Sequence, residues 1–391
     1  MYNKIKIKKG KEKAFINRHP WVFSGAIQSL EDPQNGEIVE VIDYKENILG
    51  YGFYSYKSQI SCRIFHFTKE RVTNFPDSFF KEKIIKAANL RDKFIDKRKT
   101  NCYRLIHAEG DLFPGLIIDI YNESAVIQTL IKGTELLLDI IVDSLYDLGF
   151  KNVYVKNSSV NPIEEVSQRD YTIAGKIDSN LLVMENSLLF AVDIKEGQKT
   201  GFFIDQRKNR ELIKQISKEK TVLNAFCYTG GFSVYAIAGG ARSVHSVDIS
   251  QSAIAMTEKN VSENFKGLKN HIAIKEDCFN YLRDMDEIYD LIILDPPAFV
   301  KSATNIEKGA KGYKDINLNA LRKIKKDSFL ATFSCSQHIS SELFQKIVFS
   351  AAADSGRNVQ IISHLSQPED HPINIYHPEG EYLKGLLLHV E

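Results

Sequence analysis

The chain has 391 residues, 43% of them hydrophobic and 26% charged, which suits two or three globular domains and excludes a largely disordered protein. Lys and Arg number 51 against 50 Asp and Glu, a formal net charge of +1, so overall charge selects no class of partner. The five cysteines, Cys62, Cys102, Cys227, Cys278 and Cys335, lack CxxC or Cys/His ligand spacing, which argues against a disulfide framework or a zinc site. There is no signal-like apolar segment at the N-terminus and no uncharged apolar run of about 20 residues, so no membrane is expected and the expected location is cytoplasmic.

The distribution of charge says more than its sum. Lys4, Lys6, Lys8, Lys9, Lys11 and Lys13 stand against a single Glu12, and Arg91, Lys93, Lys97, Arg98 and Lys99 form a second cluster. Such patches are either solvated faces or sites that meet a phosphate backbone.

In chain order, the first stretch reads as strands. Ile5 and Ile7 alternate with lysines, and apolar runs follow at 38–42, 48–54 and 60–67 with polar turns between them. Short strands at this spacing predict a small barrel. The only tryptophan lies in His19-Pro20-Trp21-Val22-Phe23. Apolar residues at helical spacing then predict a helix over 78–96, with Phe79, Phe80, Ile84, Ile85, Ala88 and Phe94 on one side. Strand-like runs at 103–107, 115–121, 125–131 and 153–156, with a helix at 136–148, predict a second, α+β unit.

The rhythm changes near Val192. Apolar runs at 222–226, 243–247, 271–274, 291–294 and 329–333 alternate with helical segments at 232–238, 252–264, 316–324 and 341–353. A further helix is expected over 206–216. This alternation predicts an α/β domain with a doubly wound parallel sheet, whose ligands bind beyond the carboxyl ends of the strands.

The first of those strands ends Leu223-Asn224-Ala225-Phe226 and runs into Cys227-Tyr228-Thr229-Gly230-Gly231. Paired glycines allow a tight turn and close approach to a ligand. The next strand ends in Asp248-Ile249, where a carboxylate can bind ribose hydroxyls. The third delivers Asp277, an acceptor for an adenine amino group, then Cys278 and Phe279, which can wall the ring. The phosphate-binding pattern G-x-G-x-x-G is absent. A nucleoside cofactor without phosphates, S-adenosylmethionine, fits this set.

The fourth strand leads into Asp295-Pro296-Pro297-Ala298-Phe299. Two prolines stiffen the backbone, so that their carbonyls and the Asp295 carboxylate can face a planar base. The fifth ends Phe333-Ser334-Cys335-Ser336. A lone strand cysteine is by default a buried structural residue. Cys335 differs in standing at a strand end, flanked by serines, after the strand that carries Asp-Pro-Pro. A thiol there can add to C6 of a cytosine and make C5 nucleophilic. Cys227, in the cofactor loop, is the rival; Cys62 and Cys102 read as structural.

On these residues the chain resembles the bacterial large-subunit ribosomal RNA 5-methylcytosine methyltransferases that carry an N-terminal PUA domain. The resemblance runs along essentially the whole length. It rests on 19–23, on Glu109-Gly110-Asp111 with Pro114-Gly115-Leu116, and on Gln198-Lys199-Thr200-Gly201-Phe202-Phe203-Ile204-Asp205-Gln206-Arg207. It rests further on 228–232, on Asp295-Pro296-Pro297 with Phe299, on Gly312-Tyr313-Lys314-Asp315-Ile316-Asn317, and on 333–336.

The resemblance implies a PUA barrel over 1–72, a central α+β domain over 73–190 and a class I, Rossmann-like methyltransferase domain over 191–391. It implies S-adenosylmethionine as cofactor, Cys335 as nucleophile and Asp295 on the cytosine edge. Asn224, Phe226, Tyr228, Thr229, Gly230, Gly231, Asp248, Ile249, Asp277, Cys278, Phe279 and Asp295 would contact the cofactor. Gln198, Thr200, Phe203, Asp205 and Arg207 would close over its methionine end. Pro296, Pro297, Phe299 and Lys314 would contact the substrate. The implied partner is large-subunit ribosomal RNA, with no metal and with room for a homodimer. The chain departs from the family's Asp-Pro-Pro-Lys-Phe by having Ala298 in place of the lysine.

Two other readings use the same residues. A guanine N2-type methyltransferase would share Asp-Pro-Pro but have no use for Cys335, and mapping the modified base separates the two. A non-enzymatic assembly factor would share the fold but would not bind S-adenosylmethionine in a calorimetric titration.

Overall fold

The alternating runs do form strands, and the structure, a computed structural model, describes residues 2–178, 181–300 and 302–391. Strands β1 (Asn3–Ile7), β2 (Trp21–Phe23), β3 (Ile27–Leu30), β4 (Ile38–Ile42), β5 (Ile48–Tyr54) and β6 (Ile60–His66) make one sheet in the order β2-β6-β5-β4-β1-β3. A short helix α1 (Lys13–Ile16) interrupts the lysine-rich start. The alternation in β1 puts Ile5 and Ile7 in a core with Val22, Val39, Val41 and Ile64. Strands β2 and β3 were not foreseen; each is only three or four residues long.

The next helix, α2 (Asp77–Arg91), is shorter than periodicity predicted. Phe94, assigned to its apolar face, is 60% exposed, and Ile95 is buried in its place. The helix stops where Arg91 turns inward, donating to the Asp111 carboxylate (2.7 Å) and to the backbone carbonyls of Arg104 and Asp370 (both 2.8 Å). Arg91 is therefore no part of a surface patch. Three others of that cluster pair locally: Lys97 with Asp92 (2.5 Å), Arg98 with Asp96 (2.9 Å) and Lys99 with Asp96 (4.0 Å). As a phosphate-binding patch the second cluster is weaker than its composition suggested.

Strands β7 (Cys102–His107), β8 (Leu116–Tyr121) and β9 (Ser124–Thr129), helices α3 (Lys132–Glu135) and α4 (Leu138–Asp147), and strands β10 (Asn152–Lys156) and β11 (Asp170–Ala174) follow. Their sheet runs β11-β10-β9-β8-β7. Strands β12 (Leu181–Glu185) and β13 (Leu188–Val192) form a two-stranded sheet.

The chain packs as two units. The first comprises Met1–Val183, Val192–Ile204 and Glu369–Gly380; the second comprises Met184–Ala191, Asp205–Pro368 and Glu381–Glu391. Segments 192–204 and 369–380, which the sequence reading placed within 191–391, thus pack with the first unit. Lys156 holds the former by donating to the carbonyls of Ile194 and Gly197 (both 2.6 Å). Asp370 holds the latter by accepting the Arg104 N–H (2.9 Å).

The second unit contains α5 (Arg207–Ile216), β14 (Thr221–Ala225), α6 (Gly231–Ala238), β15 (Ser243–Asp248), α7 (Gln251–Asn264), β16 (His271–Lys275), α8 (Cys278–Asp284), β17 (Leu291–Leu294), α9 (Ile306–Lys323), β18 (Ser328–Ser334), α10 (Ser341–Ser355), β19 (Val359–Leu365) and β20 (Lys384–Val390). Its sheet runs β16-β15-β14-β17-β18-β20-β19, with the first five strands parallel and β20 antiparallel to both neighbours. Val222, Leu223, Ile292, Ile293 and Leu330 are all fully buried, as expected of parallel strands covered on both faces. The order reverses between β14 and β17, which sets a crevice at their carboxyl ends. Strands β19 and β20 were not read from the sequence. No described helix is long and apolar enough to cross a membrane.

Candidate active site

The loop after β14 is held in an unusual shape. Phe226, Tyr228 and Gly230 all have left-handed backbone angles, with φ of 59°, 48° and 77°. For a non-glycine residue this costs about 1–2 kcal/mol, and such strain collects where function requires it. At Gly230 an added Cβ would lie 2.6 Å from Thr257 Cγ2, so any side chain there would collide with α7. The turn points the Tyr228 N–H at Asp248, whose carboxylate accepts it at 3.0 Å and accepts the Ser250 N–H at 2.9 Å. Asp248 is thereby fixed at the end of β15 with lone pairs to spare, and Ile249 beside it is 65% exposed.

Asn224 lies beneath this loop. Its amide donates to Ser233 Oγ (2.8 Å), which bonds Ser246 Oγ (2.6 Å), which bonds His271 Nε2 (2.8 Å). Burial, aided by the nearby His245, pushes the His271 pKa down to about 4 from its ordinary 6.5. The unfolded chain therefore binds the extra proton first. His271 contributes stability that is present above pH 6.5 and is lost as pH falls from 6.5 through about 4. The midpoint of urea unfolding is expected to fall across that window, and to fall less in His271→Gln. Parallel declines in the two proteins would remove His271 as the cause.

At the end of β16, Asp277 caps α8, one carboxylate oxygen accepting the N–H groups of Phe279 (2.9 Å) and Asn280 (3.1 Å). Cys278 is buried, and its sulfur accepts the Phe226 N–H at 3.1 Å. Burial pushes its thiol up to about 12. Cys278 therefore supports the loop from behind. Cys227 is likewise buried, its sulfur near Thr257 Oγ1 (3.7 Å), and burial raises its thiol pKa strongly. A buried thiol with a raised pKa makes a poor nucleophile.

The chemical end assembles around β17 and β18. Asp295 accepts from Gln206 Nε2 (3.0 Å), and Gln206 is oriented in turn by Asn209, which donates to its Oε1 (2.6 Å). Asp205 accepts the Tyr382 hydroxyl at 2.7 Å. Phe299 packs on Tyr313, with ring centres 4.6 Å apart, and on Phe279 at 5.6 Å; Phe226 is 6.1 Å from Phe279. One aromatic cluster thus joins the loops after β14 and β16 to the Asp295-Pro296-Pro297 turn. Tyr313 shares a hydrogen bond with Ser336 Oγ (2.9 Å), which also accepts the Val300 N–H (3.2 Å). Ser334 and Ser336 are fully buried, while Cys335 between them is only partly so. All four other cysteines are buried.

Comparison with known proteins agrees with this architecture. Residues 5–67 match the model of a PUA-like domain, and residues 170–324 match that of an S-adenosylmethionine-dependent methyltransferase. The ribosomal RNA large subunit methyltransferase I of Pseudoalteromonas atlantica is 40% identical over all of both chains. The protein of the same name from Tolumonas auensis is 39% identical over 99% of each. The chain belongs to this family. A structure from Streptococcus mutans, described as a SAM-dependent methyltransferase, superposes with a TM-score of 0.85 over 99% of this chain and all of its own, at 22% identity. SMU.776, solved in complex with SAH, gives a TM-score of 0.86 over the same shares, also at 22% identity.

The cofactor of this methyltransferase, S-adenosylmethionine, suits the residues at the strand ends. The acceptors there are carboxylates, at Asp248 and Asp277. They suit hydroxyls, an amino group and a nearby sulfonium, and they would repel a phosphate. Among the described residues no group of three or more His, Cys, Asp and Glu could hold a metal ion.

Other expected residues are placed differently. Gln198, Thr200 and Phe203 fall in the first unit, while Asp205 and Arg207 fall in the second. Thr200 is buried there, donating to Asp119 (2.6 Å) and bonding the Tyr121 hydroxyl (2.8 Å). Lys314 turns to Asp354 on α10 (2.6 Å); its neighbour Tyr313 is the member of that motif that reaches Ser336. Adjacent helical residues point about 100° apart, so a motif on α9 cannot send both to one site.

Sequence reasoning missed Gln206 as the partner of Asp295, and it missed Tyr313, Tyr382 and Lys384. Lys384 is 4% exposed and donates to the Ser336 carbonyl at 2.8 Å. Its signal was present: a lone cation opens the otherwise apolar run Lys384-Gly385-Leu386-Leu387-Leu388.

Proposed function

We propose that this methyltransferase methylates carbon 5 of a cytosine in large-subunit ribosomal RNA through a covalent bond between Cys335 and C6. The observation that carries the reading is the contrast among the cysteines: four are buried, while Cys335 is partly exposed just past the end of β18, which pairs with the strand β17 that leads into Asp295. The names of the relatives support an rRNA substrate. The PUA-like match supports RNA contact, with phosphates for affinity and unpaired bases for stacking.

S-adenosylmethionine supplies the methyl group when bound. The protein's own residues do the rest. Asp248 and the strained loop bind and orient the nucleoside. Asp295, steadied by Gln206, accepts a hydrogen bond from the cytosine edge. Cys335, as thiolate, adds to C6, and the C5=C6 electron pair becomes available at C5. C5 takes the methyl group. Loss of the C5 proton to a base then re-forms the double bond and expels the thiolate. The target cytosine has to be unpaired or flipped out for a thiol to reach C6.

RNA bearing 5-fluorocytosine at the target has no C5 proton to lose, so it should trap the adduct. A covalent complex stable to denaturation, with Cys335 as the modified residue by peptide mass spectrometry, is expected. Methyl transfer to a guanine with no adduct would overturn the reading in favour of N2-type chemistry.

A further inference from the structure

A cation buried without a carboxylate partner is costly, and proteins keep one where it acts. Lys384 is such a cation. It opens β20, in register with Ser334 on β18, and its side chain runs alongside Ser334-Cys335-Ser336 to donate to the Ser336 carbonyl. No ion pair to it is found among the described residues. Its neighbour Gly385 permits this packing, since a Cβ there would meet the Phe333 ring at 2.5 Å. On the other side Tyr313, from α9, fixes Ser336.

We propose that Lys384 takes up the thiol proton of Cys335 and holds the resulting thiolate beside its ammonium, so that it activates the nucleophile. This rests on the reading of Cys335 as that nucleophile. In the step the S–H bond breaks, its electron pair stays on sulfur, and an N–H bond forms on the neutral amine. The charge balance suits the exchange. Burial pushes the Lys384 pKa down to about 8, while the Cys335 and Glu381 charges oppose that fall. An amine that titrates near 8 can accept a proton at neutral pH, and a neighbouring thiolate then gains a cation in a poorly solvated place. Tyr313, another titratable group that interacts with Cys335, has its pKa raised by burial, so it stays neutral near pH 7 and does not supply a cation. Lys384 thus acts on the reacting sulfur as its base and then as its counter-ion.

The test is the pH dependence of alkylation of the full-length protein by iodoacetamide, followed at the Cys335 peptide by mass spectrometry. The other four cysteines are buried and should react slowly. In the unmodified protein Cys335 is expected to titrate at least one unit below the roughly 8.5 of a free cysteine. A value at or above that overturns the proposal without any variant. Lys384→Gln keeps a donor for the Ser336 carbonyl but removes the charge; it should raise the apparent thiol pKa by a unit or more and slow alkylation at pH 7 about tenfold. Lys384→Arg, which keeps the charge, should hold the thiol pKa low. A Lys384→Gln profile that superimposes on the original, in protein that still binds S-adenosylmethionine, overturns the proposal. Alkylation needs no RNA, so its outcome is independent of whether Cys335→Ala retains methylation, the result that would sink the underlying function.

Discussion

Replacing Cys335 with alanine is expected to lower kcat for RNA methylation by about 10⁴-fold or more, with S-adenosylmethionine affinity unchanged. Cytosine C5 is too weak a nucleophile to take a methyl group unaided. No neighbouring residue can take over the addition: Cys227 and Cys278 are buried with raised thiol pKa values, and Ser334 and Ser336 are fully buried. The loss should fall on kcat rather than on the KM for RNA, because the bond to C6 forms only after binding. Cys335→Ser should be nearly as inactive, since a hydroxyl is a far poorer nucleophile near neutral pH. The measurement is single-turnover transfer of labelled methyl to rRNA. Turnover within tenfold of the unsubstituted enzyme would refute covalent catalysis and leave the amino-group reading standing.

The second large effect is expected at Asp248. Asp248→Ala should weaken S-adenosylmethionine binding by about 10²–10³-fold, or about 3–4 kcal/mol, the loss of two charge-assisted hydrogen bonds to ribose. The same carboxylate accepts the N–H groups of Tyr228 and Ser250. Its removal therefore also frees the strained loop, so Asp248→Asn, which keeps one acceptor, should lose less. Calorimetric titration separates the two variants. A dissociation constant within threefold of the original for Asp248→Ala would mean that Asp248 serves only the loop.

The two predictions differ in how legible their residues were. Asp248 is a candidate that the sequence offers by itself because its placement is local: a short strand-like run ends, an acid follows, and a helix begins. The same logic found Gly230 and Asp277. Cys335 was preferred in the sequence for its strand end, its serine neighbours and its place after the Asp-Pro-Pro strand; what the sequence could not show is that Cys227 is buried, near Thr257. Lys314 was read with its motif as one surface, whereas α9 directs it to Asp354 and Tyr313 to Ser336. The burial of Thr200 against Asp119 and Tyr121 was not legible, because it comes from β8, about 80 residues earlier in the chain.

What the sequence determined by itself is the alternation of strands and helices from α5 to α10, apart from α8, the chemical type of the residues at the ends of those strands and the family resemblance. These depend on short-range patterns, with period two in strands and period 3.6 in helices, and on turn residues that act within a few positions. What only the tertiary structure decided is which distant residues complete the site. Gln206 reaches Asp295 across 89 positions, and Tyr382 reaches Asp205 across 177. Lys384 reaches the Cys335 segment only because β20 inserts antiparallel beside β18. Such pairings are set by the burial of whole sheet faces, and no local pattern encodes them.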